Sequence, residues 1–382
     1  MDISPVRVML VDDSVVVRGL LRNIIEKHND LDIVAAAADG QTALRDYRTH
    51  RPDIVLMDVE MPHMDGLSAL REILVHDPDA RVIMCSSLTQ AGAETTYQAL
   101  HIGAVDCLAK PSSKSIDRGL TFEQELLLKL RTLGRNGAKR KAVSITARSS
   151  GVPELVSLST PYMHKLGGDV VLRRMPDHLP PNFPLALAIG ASTGGPKALV
   201  EFLTSVDKNI MLPIFITQHI PPGFSRFLAE NIERKTGFPA HEAEEGMLVS
   251  PGHVYIAPGQ KHMGVQKGIP KRITLTDGPP VNFCKPSVDV MLDSLEHAYG
   301  GHLLTVILTG MGADGHQSSR RMVVDGTHNI LIAQDEESSV VWGMPGAVAK
   351  DGICHAVLPL SRIGAAVNKL VRRESIGDHH AN

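Results

Sequence analysis

Leu185–Leu199 reads LALAIGASTGGPKAL, in which a short apolar run breaks into Gly190-Ala191-Ser192-Thr193-Gly194-Gly195-Pro196 and then into a helical stretch. A run too brief for a helix and free of polar alternation is the pattern of a strand buried on both faces, as in parallel sheets covered by helices. The same order returns twice. Ile214–Thr217 leads to Gln218-His219 and a helix, and Leu303–Leu308 leads to Thr309-Gly310-Met311-Gly312-Ala313-Asp314-Gly315 and another. Loops leaving the carboxyl ends of parallel strands share one rim, where ligands bind. Ser192, His219 and Asp314 can therefore meet although they lie far apart in the chain. Short β-like runs at Val254–Ile256, Met263–Gln266 and Ile273–Leu275 predict antiparallel hairpins added to this sheet.

The N-terminal part repeats the alternation. Val6–Val11, Ile33–Ala37, Ile54–Met57, Val82–Cys85 and Ala104–Leu108 are apolar runs separated by helix-length segments, which predicts a doubly wound α/β domain with a five-stranded parallel sheet. A closing helix is expected near Phe122–Leu133. Gly134, Gly137, Ser144, Ser149, Ser150, Gly151 and Pro153 then mark a linker whose charges from Lys129 to Arg148 are all basic, read as a solvated segment. With 382 residues the chain fits two α/β domains. The expected division is 1–133, a linker over 134–183, a second doubly wound domain over 184–375, and a tail over 376–382.

Composition narrows the class. A formal charge of −3 offers no net attraction for nucleic acid. The N-terminus lacks the pattern of an export signal, and no stretch of about 18 apolar residues occurs, so membrane insertion is not expected. Cys85, Cys107, Cys284 and Cys354 are scattered without C-x-x-C spacing, which predicts free thiols in a reducing, cytoplasmic setting.

In the N-terminal domain Asp12 and Asp13 end the first strand, Asp58 the third, Ser86 the fourth, and Lys110 with Pro111 the fifth. Crowded carboxylates repel unless a positive group sits among them, and an oxygen-only cluster of this kind suits Mg²⁺. Asp58 can then act as a nucleophile toward a phosphoryl group, with Ser86 and Lys110 bonding its oxygens. VDDS at Asp12–Ser14 and the residue before it, LMDVEMPHMDG at Leu56–Gly66, MCSS at Met84–Ser87 and AKP at Ala109–Pro111 resemble the receiver domains of bacterial response regulators. The resemblance covers about Val6 to Leu133. It implies Asp58 as the phosphorylation site, a sensor histidine kinase as donor, Mg²⁺ held by Asp12, Asp13, Asp58 and the backbone carbonyl of Glu60, and Ser86 and Lys110 as switch residues. Receivers commonly carry Tyr or Phe three residues before the lysine, where this chain has Cys107.

In the C-terminal domain Gly190-x-Ser192-x-Gly194 has the form of a nucleophile elbow. A phosphate-binding loop is the rival, but no G-x-x-x-x-G-K-[ST] or full G-x-G-x-x-G pattern is present, and Pro196 reads as a first-turn helix residue. A serine nucleophile needs a base and the base an orienting acid. His219 ends the next strand and Asp314 lies in a glycine-rich loop. The order Ser–His–Asp differs from the Ser–Asp–His of α/β-hydrolases, so either this is another kind of serine hydrolase or the acid is a residue such as Asp289 paired with a later histidine.

IGASTGGPKAL at Ile189–Leu199, TQHIPPGF at Thr217–Phe224, YIAPG at Tyr255–Gly259, KPSVDVML at Lys285–Leu292, LTGMGADG at Leu308–Gly315 and AQDEESSVVWGMP at Ala333–Pro345 are similar to the catalytic domain of the chemotaxis protein-glutamate methylesterases. The resemblance implies Ser192 as nucleophile, His219 as base, Asp314 as its orienting acid, and Thr193 with the backbone around Met311 near the oxyanion. It also implies hydrolysis of glutamyl methyl esters on methyl-accepting chemoreceptors, deamidation of receptor glutamines in some members, no cofactor for the ester chemistry, and an unphosphorylated receiver that inhibits. Lys285 and Gly346 stand where the family often has Arg. The rival outputs are a DNA-binding module, which needs a compact helical or winged domain with clustered basic residues, and a non-catalytic binding domain with a vestigial triad.

Overall fold

The computed structural model describes residues 4–86, 90–110, 122–147, 170–176, 178–323 and 327–374. The chain divides into two compact units, Met1–Thr160 and Pro161–Asn382.

The first unit alternates strand and helix throughout. Its elements are β1 (Val6–Val11), α1 (Val15–Ile25), β2 (Leu31–Ala37), α2 (Gly40–His50), β3 (Ile54–Asp58), α3 (Gly66–His76), β4 (Val82–Ser86), α4 (Gln90–Ile102), β5 (Asp106–Ala109) and α5 (Phe122–Ala147). The five strands run parallel in the order β2-β1-β3-β4-β5. All of β3 and β4 is buried, as strands covered by helices on both faces must be. Three helices start on a polar residue whose side chain accepts a first-turn N–H: Ser14 for α1, Asp39 for α2 and Asp65 for α3.

The closing helix runs well past its expected end at Leu133. Leu126, Leu130 and Leu133 are fully buried, and Gly134 continues the same helix rather than stopping it. A Cβ on Gly134 would collide with the side chain of Val6, so glycine is present there to let α5 lie close against β1. The expected linker residues 148–169 and 177, and the expected tail 376–382, lie outside the described residues.

The second unit is built on β6 (Ala186–Ala191), α6 (Gly195–Thr204), β7 (Ile214–Gln218), α7 (Phe224–Thr236), β8 (Ala240–Glu242), β9 (Val254–Ile256), β10 (His262–Val265) and β11 (Ile273–Thr276). It continues through α8 (Val288–Tyr299), β12 (Leu303–Ile307), α9 (His316–Met322), β13 (Ile330–Gln334), α10 (Met344–Lys350), β14 (Ala356–Leu358) and α11 (Leu360–Val371). Seven strands form one parallel sheet in the order β14-β13-β12-β6-β7-β9-β8. The expected hairpin is present as β10–β11, a separate antiparallel pair. Val254–Ile256, expected to be antiparallel, is instead the parallel strand β9 between β7 and β8. At three residues a strand is too short for its apolar pattern to declare direction.

Residues 170–176 and 178–183, expected as the end of the linker, lie against this unit. Val170 packs on its core, and the Arg173 N–H donates to the Cys354 carbonyl at 2.8 Å. The segment lacks any apolar period because its described residues form neither helix nor strand. The unit as a whole is a large α/β domain, unlike the small helical or winged module of a DNA-binding output, and among the described residues no helix is long and apolar enough to cross a membrane.

Gly134→Ala tests the α5–β1 contact through its sign. In an exposed helix the change stabilises by about 1 kcal/mol, whereas overpacking a core costs about 1–3 kcal/mol. A lowered unfolding midpoint for the N-terminal unit is expected; a raised one would contradict the contact.

Candidate active site

The strand ends of the first unit gather the acidic cluster. One oxygen each from Asp12, Asp13 and Asp58 lies within 4.8 Å of the others, Asp12 and Asp58 being buried and Asp13 exposed. Lys110 Nζ sits among them, 2.7 Å from Asp12 Oδ2 and 2.8 Å from Asp58 Oδ2. Asp58 Oδ1 accepts the Val59 N–H at 2.8 Å, and Asp12 Oδ1 the Ser14 N–H at 2.9 Å. Burial pushes the Asp58 carboxyl above the usual range; the Lys110 ammonium opposes this and Asp12 adds to it. Lys110 is shifted upward despite its own burial, because both carboxylates hold its proton. Ser86 is buried at the end of β4, its carbonyl accepting the Lys110 N–H at 2.8 Å, and the Glu60 side chain is exposed. Three carboxylate oxygens with no nitrogen or sulfur donor form a set that fits a hard divalent cation such as Mg²⁺. Cys107 is buried in β5.

In the second unit three loops leave adjacent strands. β6 lies between β12 and β7, and the chain proceeds to one side through β7 and to the other through β13 and β14. Such a change of direction opens a crevice at the carboxyl ends of the strands. Ser192 follows β6, His219 follows β7, and Asp314 lies on the loop after β12. Backbone bonds draw these loops together: the Ser192 N–H donates to the Thr309 carbonyl and the His219 N–H to the Ala191 carbonyl, both at 3.0 Å. A Cβ on Gly310 would lie 2.8 Å from that of Ser192, so only glycine permits the approach. Gly194 in the left-handed region and Pro196 in the first turn open α6 directly behind the serine.

His219 Nε2 and Asp314 Oδ2 are 2.8 Å apart. An ionised carboxylate only accepts, so Nε2 carries the proton and Nδ1 of the neutral ring keeps its lone pair. The Ser192 hydroxyl is half exposed and has no hydrogen-bond partner among the described residues. Free enzymes often show this looseness between nucleophile and base until substrate closes the gap. Thr193 is buried and Met311 half-buried on the flanking loops.

Asp314 is held from many sides. Oδ2 also accepts the Val288 N–H at 2.6 Å, while Oδ1 accepts Ser287 Oγ–H at 2.7 Å, Asn282 Nδ2–H at 3.0 Å and the Gly315 N–H at 3.1 Å. The carboxylate thereby serves the free N–H groups at the start of α8. Burial would raise its pKa, but His219, the Val288 N–H and Asn282 together hold it at about 2. Asp289, the other acid considered, accepts from Asn282 Nδ2 at 2.6 Å and the Ser318 N–H at 2.7 Å, joining α8 to α9. Asn282, Ser287 and Gln218, whose amide donates to the Ser192 and His219 carbonyls, were not singled out from sequence. Short polar residues beside strand ends are too common to mark them. Lys285 pairs with Asp277 at 3.5 Å, and Gly346 packs on Trp342.

Fold and site together define a two-unit response regulator whose output unit carries a serine–histidine–aspartate constellation on a parallel sheet. A family model described as CheB methylesterase matches residues 187–367, and one described as response regulator receiver domain matches residues 8–116. A protein-glutamate methylesterase/protein-glutamine glutaminase of Paramagnetospirillum magneticum is 45% identical, the match covering 96% of this chain and 97% of its own. One of Rhodopseudomonas palustris is 43% identical, covering 97% and 94%. The crystal structure of the Thermotoga maritima CheB methylesterase catalytic domain is 37% identical over 50% of this chain and 98% of its own, with a TM-score of 0.46. The chain belongs to the family of receiver-linked CheB methylesterases.

Burial of the His219 ring favours its neutral form, but the Cys284 sulfur and the Asp314 carboxylate outweigh it, and the pKa lies above the ordinary 6.5. If His219 is the base, it works only when deprotonated, and the rate is lost as pH falls through that raised value. The initial rate of ester hydrolysis is expected to keep climbing above pH 6.5. A profile already flat there would contradict the assignment.

Proposed function

We propose that this chain is a phosphorylation-activated protein-glutamate methylesterase, hydrolysing γ-glutamyl methyl esters on methyl-accepting chemoreceptors and deamidating receptor glutamines by the same route. The observation that carries this reading is the part-buried Asp314–His219 hydrogen bond, on loops joined by backbone bonds to that of Ser192 at the point where the sheet reverses its order. The names of the relatives agree with it.

In the proposed reaction Ser192 Oγ attacks the ester carbonyl carbon while His219 Nδ1 takes its proton. Asp314 keeps Nε2–H oriented and stabilises the imidazolium. Backbone N–H groups at Thr193 and around Met311 bond the carbonyl oxygen as it becomes negative. Collapse breaks the ester C–O bond, and His219 returns its proton to the departing methoxide, giving methanol. Water then attacks the acyl-enzyme, with His219 again taking a proton, and the glutamate carboxylate and Ser192 are released. For an amide, ammonia leaves in place of methanol.

Control resides in Asp58, whose carboxylate takes a phosphoryl group from a sensor histidine kinase. Mg²⁺ at Asp12, Asp13, Asp58 and the Glu60 carbonyl would supply the charge that lets phosphate oxygens approach three carboxylates. Lys110 and Ser86 bond those oxygens. Because Lys110 now pairs with both Asp12 and Asp58, phosphorylation must redistribute its contacts.

Ser192→Ala is expected to abolish methanol release from methylated receptors while Asp58 still takes phosphate from a small-molecule donor. Asp58→Asn is expected to remove stimulation by the donor. Turnover near the unaltered rate in Ser192→Ala would overturn the nucleophile, and a fully stimulated Asp58→Asn would overturn the control.

A further inference from the structure

Cys284 stands at this site but makes and breaks no bond in the proposed hydrolysis. It is a free, half-buried thiol whose Sγ lies 3.6 Å from His219 Nδ1. A tight turn holds it there. Val281 and Cys284 exchange both backbone hydrogen bonds, at 3.1 and 2.9 Å, around Asn282 and Phe283, which have φ of 51° and 63°. Two central residues with positive φ are the mark of a type I′ hairpin turn, and a bulky Phe in that region is strained. The turn is tied down by the Asn282 amide, which bonds Asp289 and Asp314. The thiol is therefore aimed at the imidazole by a rigid local frame.

The two donors have the spacing of a metal chelate. Zinc binds imidazole nitrogen at about 2.0–2.1 Å and thiolate sulfur at about 2.3 Å, which in a tetrahedron puts N and S about 3.5–3.6 Å apart. A metal-binding histidine almost always donates its other ring N–H to a carboxylate, as His219 does to Asp314. Donor atoms of His219, Cys284 and Asp314 all lie within 4.8 Å of one another. Asp314 is already bonded by several groups, so it acts as the partner of the ring and not as a ligand.

We propose that His219 Nδ1 and Cys284 Sγ form a site for a thiophilic divalent cation of the Zn²⁺ class, and that filling it switches the hydrolase off reversibly. Binding displaces the thiol proton to solvent and uses the lone pair that His219 needs to accept the Ser192 proton. No electron transfer is involved, and water completes the coordination. Thiolate with imidazole selects zinc over magnesium, so the cation suited to the acidic cluster of the receiver does not compete. The inhibitory half of the proposal rests on His219 being the base.

The test uses full-length protein freed of metal by a chelator and kept in excess Mg²⁺. Titration with Co²⁺ is expected to raise a thiolate-to-cobalt charge-transfer band that saturates at about one ion per chain, as a single two-donor site requires. The band should vanish in Cys284→Ser and Cys284→Ala. Zn²⁺ should inhibit methanol release, with reversal by chelator, and each Cys284 variant, measured against its own metal-free rate, should need at least about tenfold more Zn²⁺, since one of two ligands is lost. Absence of a Cys284-dependent band, or equal Zn²⁺ sensitivity in all three proteins, overturns the site and leaves the hydrolase reading intact. A Cys284-dependent band without inhibition overturns the switch and removes His219 as the base.

Discussion

One buried carboxylate carries two duties that elsewhere fall to separate groups. Asp314 satisfies the free N–H groups at the start of α8 and, through its other bonds, fixes the ring of His219. An isolated carboxylate in so dry a place would take up a proton rather than pay the cost of burial. It stays ionised because at least five donors converge on it, and the positive end of α8 adds to their effect. The tautomer of His219, with the proton on Nε2 and the lone pair on Nδ1, follows from that charge. Removing any one donor weakens the carboxylate; removing the carboxylate leaves both a helix end and a histidine without a partner.

Sheet topology makes this concentration possible. Because β12 and β7 flank β6, three loops distant in sequence leave the sheet side by side. The receiver unit solves a similar problem with a different sign balance: three carboxylates meet there, and the Lys110 ammonium offsets their repulsion at 2.7 and 2.8 Å. In one unit a single charge is stabilised by dipoles, and in the other a cluster of charges is stabilised by a countercharge. Under the proposed function, the second arrangement rearranges when a phosphoryl group brings new negative charge.

Buried parallel strands are the features that a sequence displays most openly, since the residues of β3, β4, β6 and β12 are apolar or small, Asp58 at the end of β3 excepted. Strand order is not local, yet the glycine-rich ends of β6 and β12 mark the rim, and Ser192, His219 and Asp314 could be found from it. What stayed hidden depends on contacts between distant segments. Gly134 reads as a helix stop, but it is a point of close approach to Val6. Val254–Ile256 reads as part of a hairpin, but its partners are β7 and β8. Asn282, Ser287 and Cys284 acquire meaning only when α8 and its preceding turn are seen against His219 and Asp314.

The rate at which a fluorophosphonate labels Ser192 reports the readiness of the serine–histidine pair without needing a receptor. Comparing the unaltered chain with Asp314→Asn and Asp289→Asn separates the carboxylate that holds His219 from its buried neighbour. In a serine protease, replacing the orienting aspartate by asparagine costs about 10⁴ in kcat. Labelling in Asp314→Asn is expected to slow by on the order of 10³–10⁴, and in Asp289→Asn by far less. Labelling of Asp314→Asn at the unaltered rate would contradict the dependence of the site on that carboxylate.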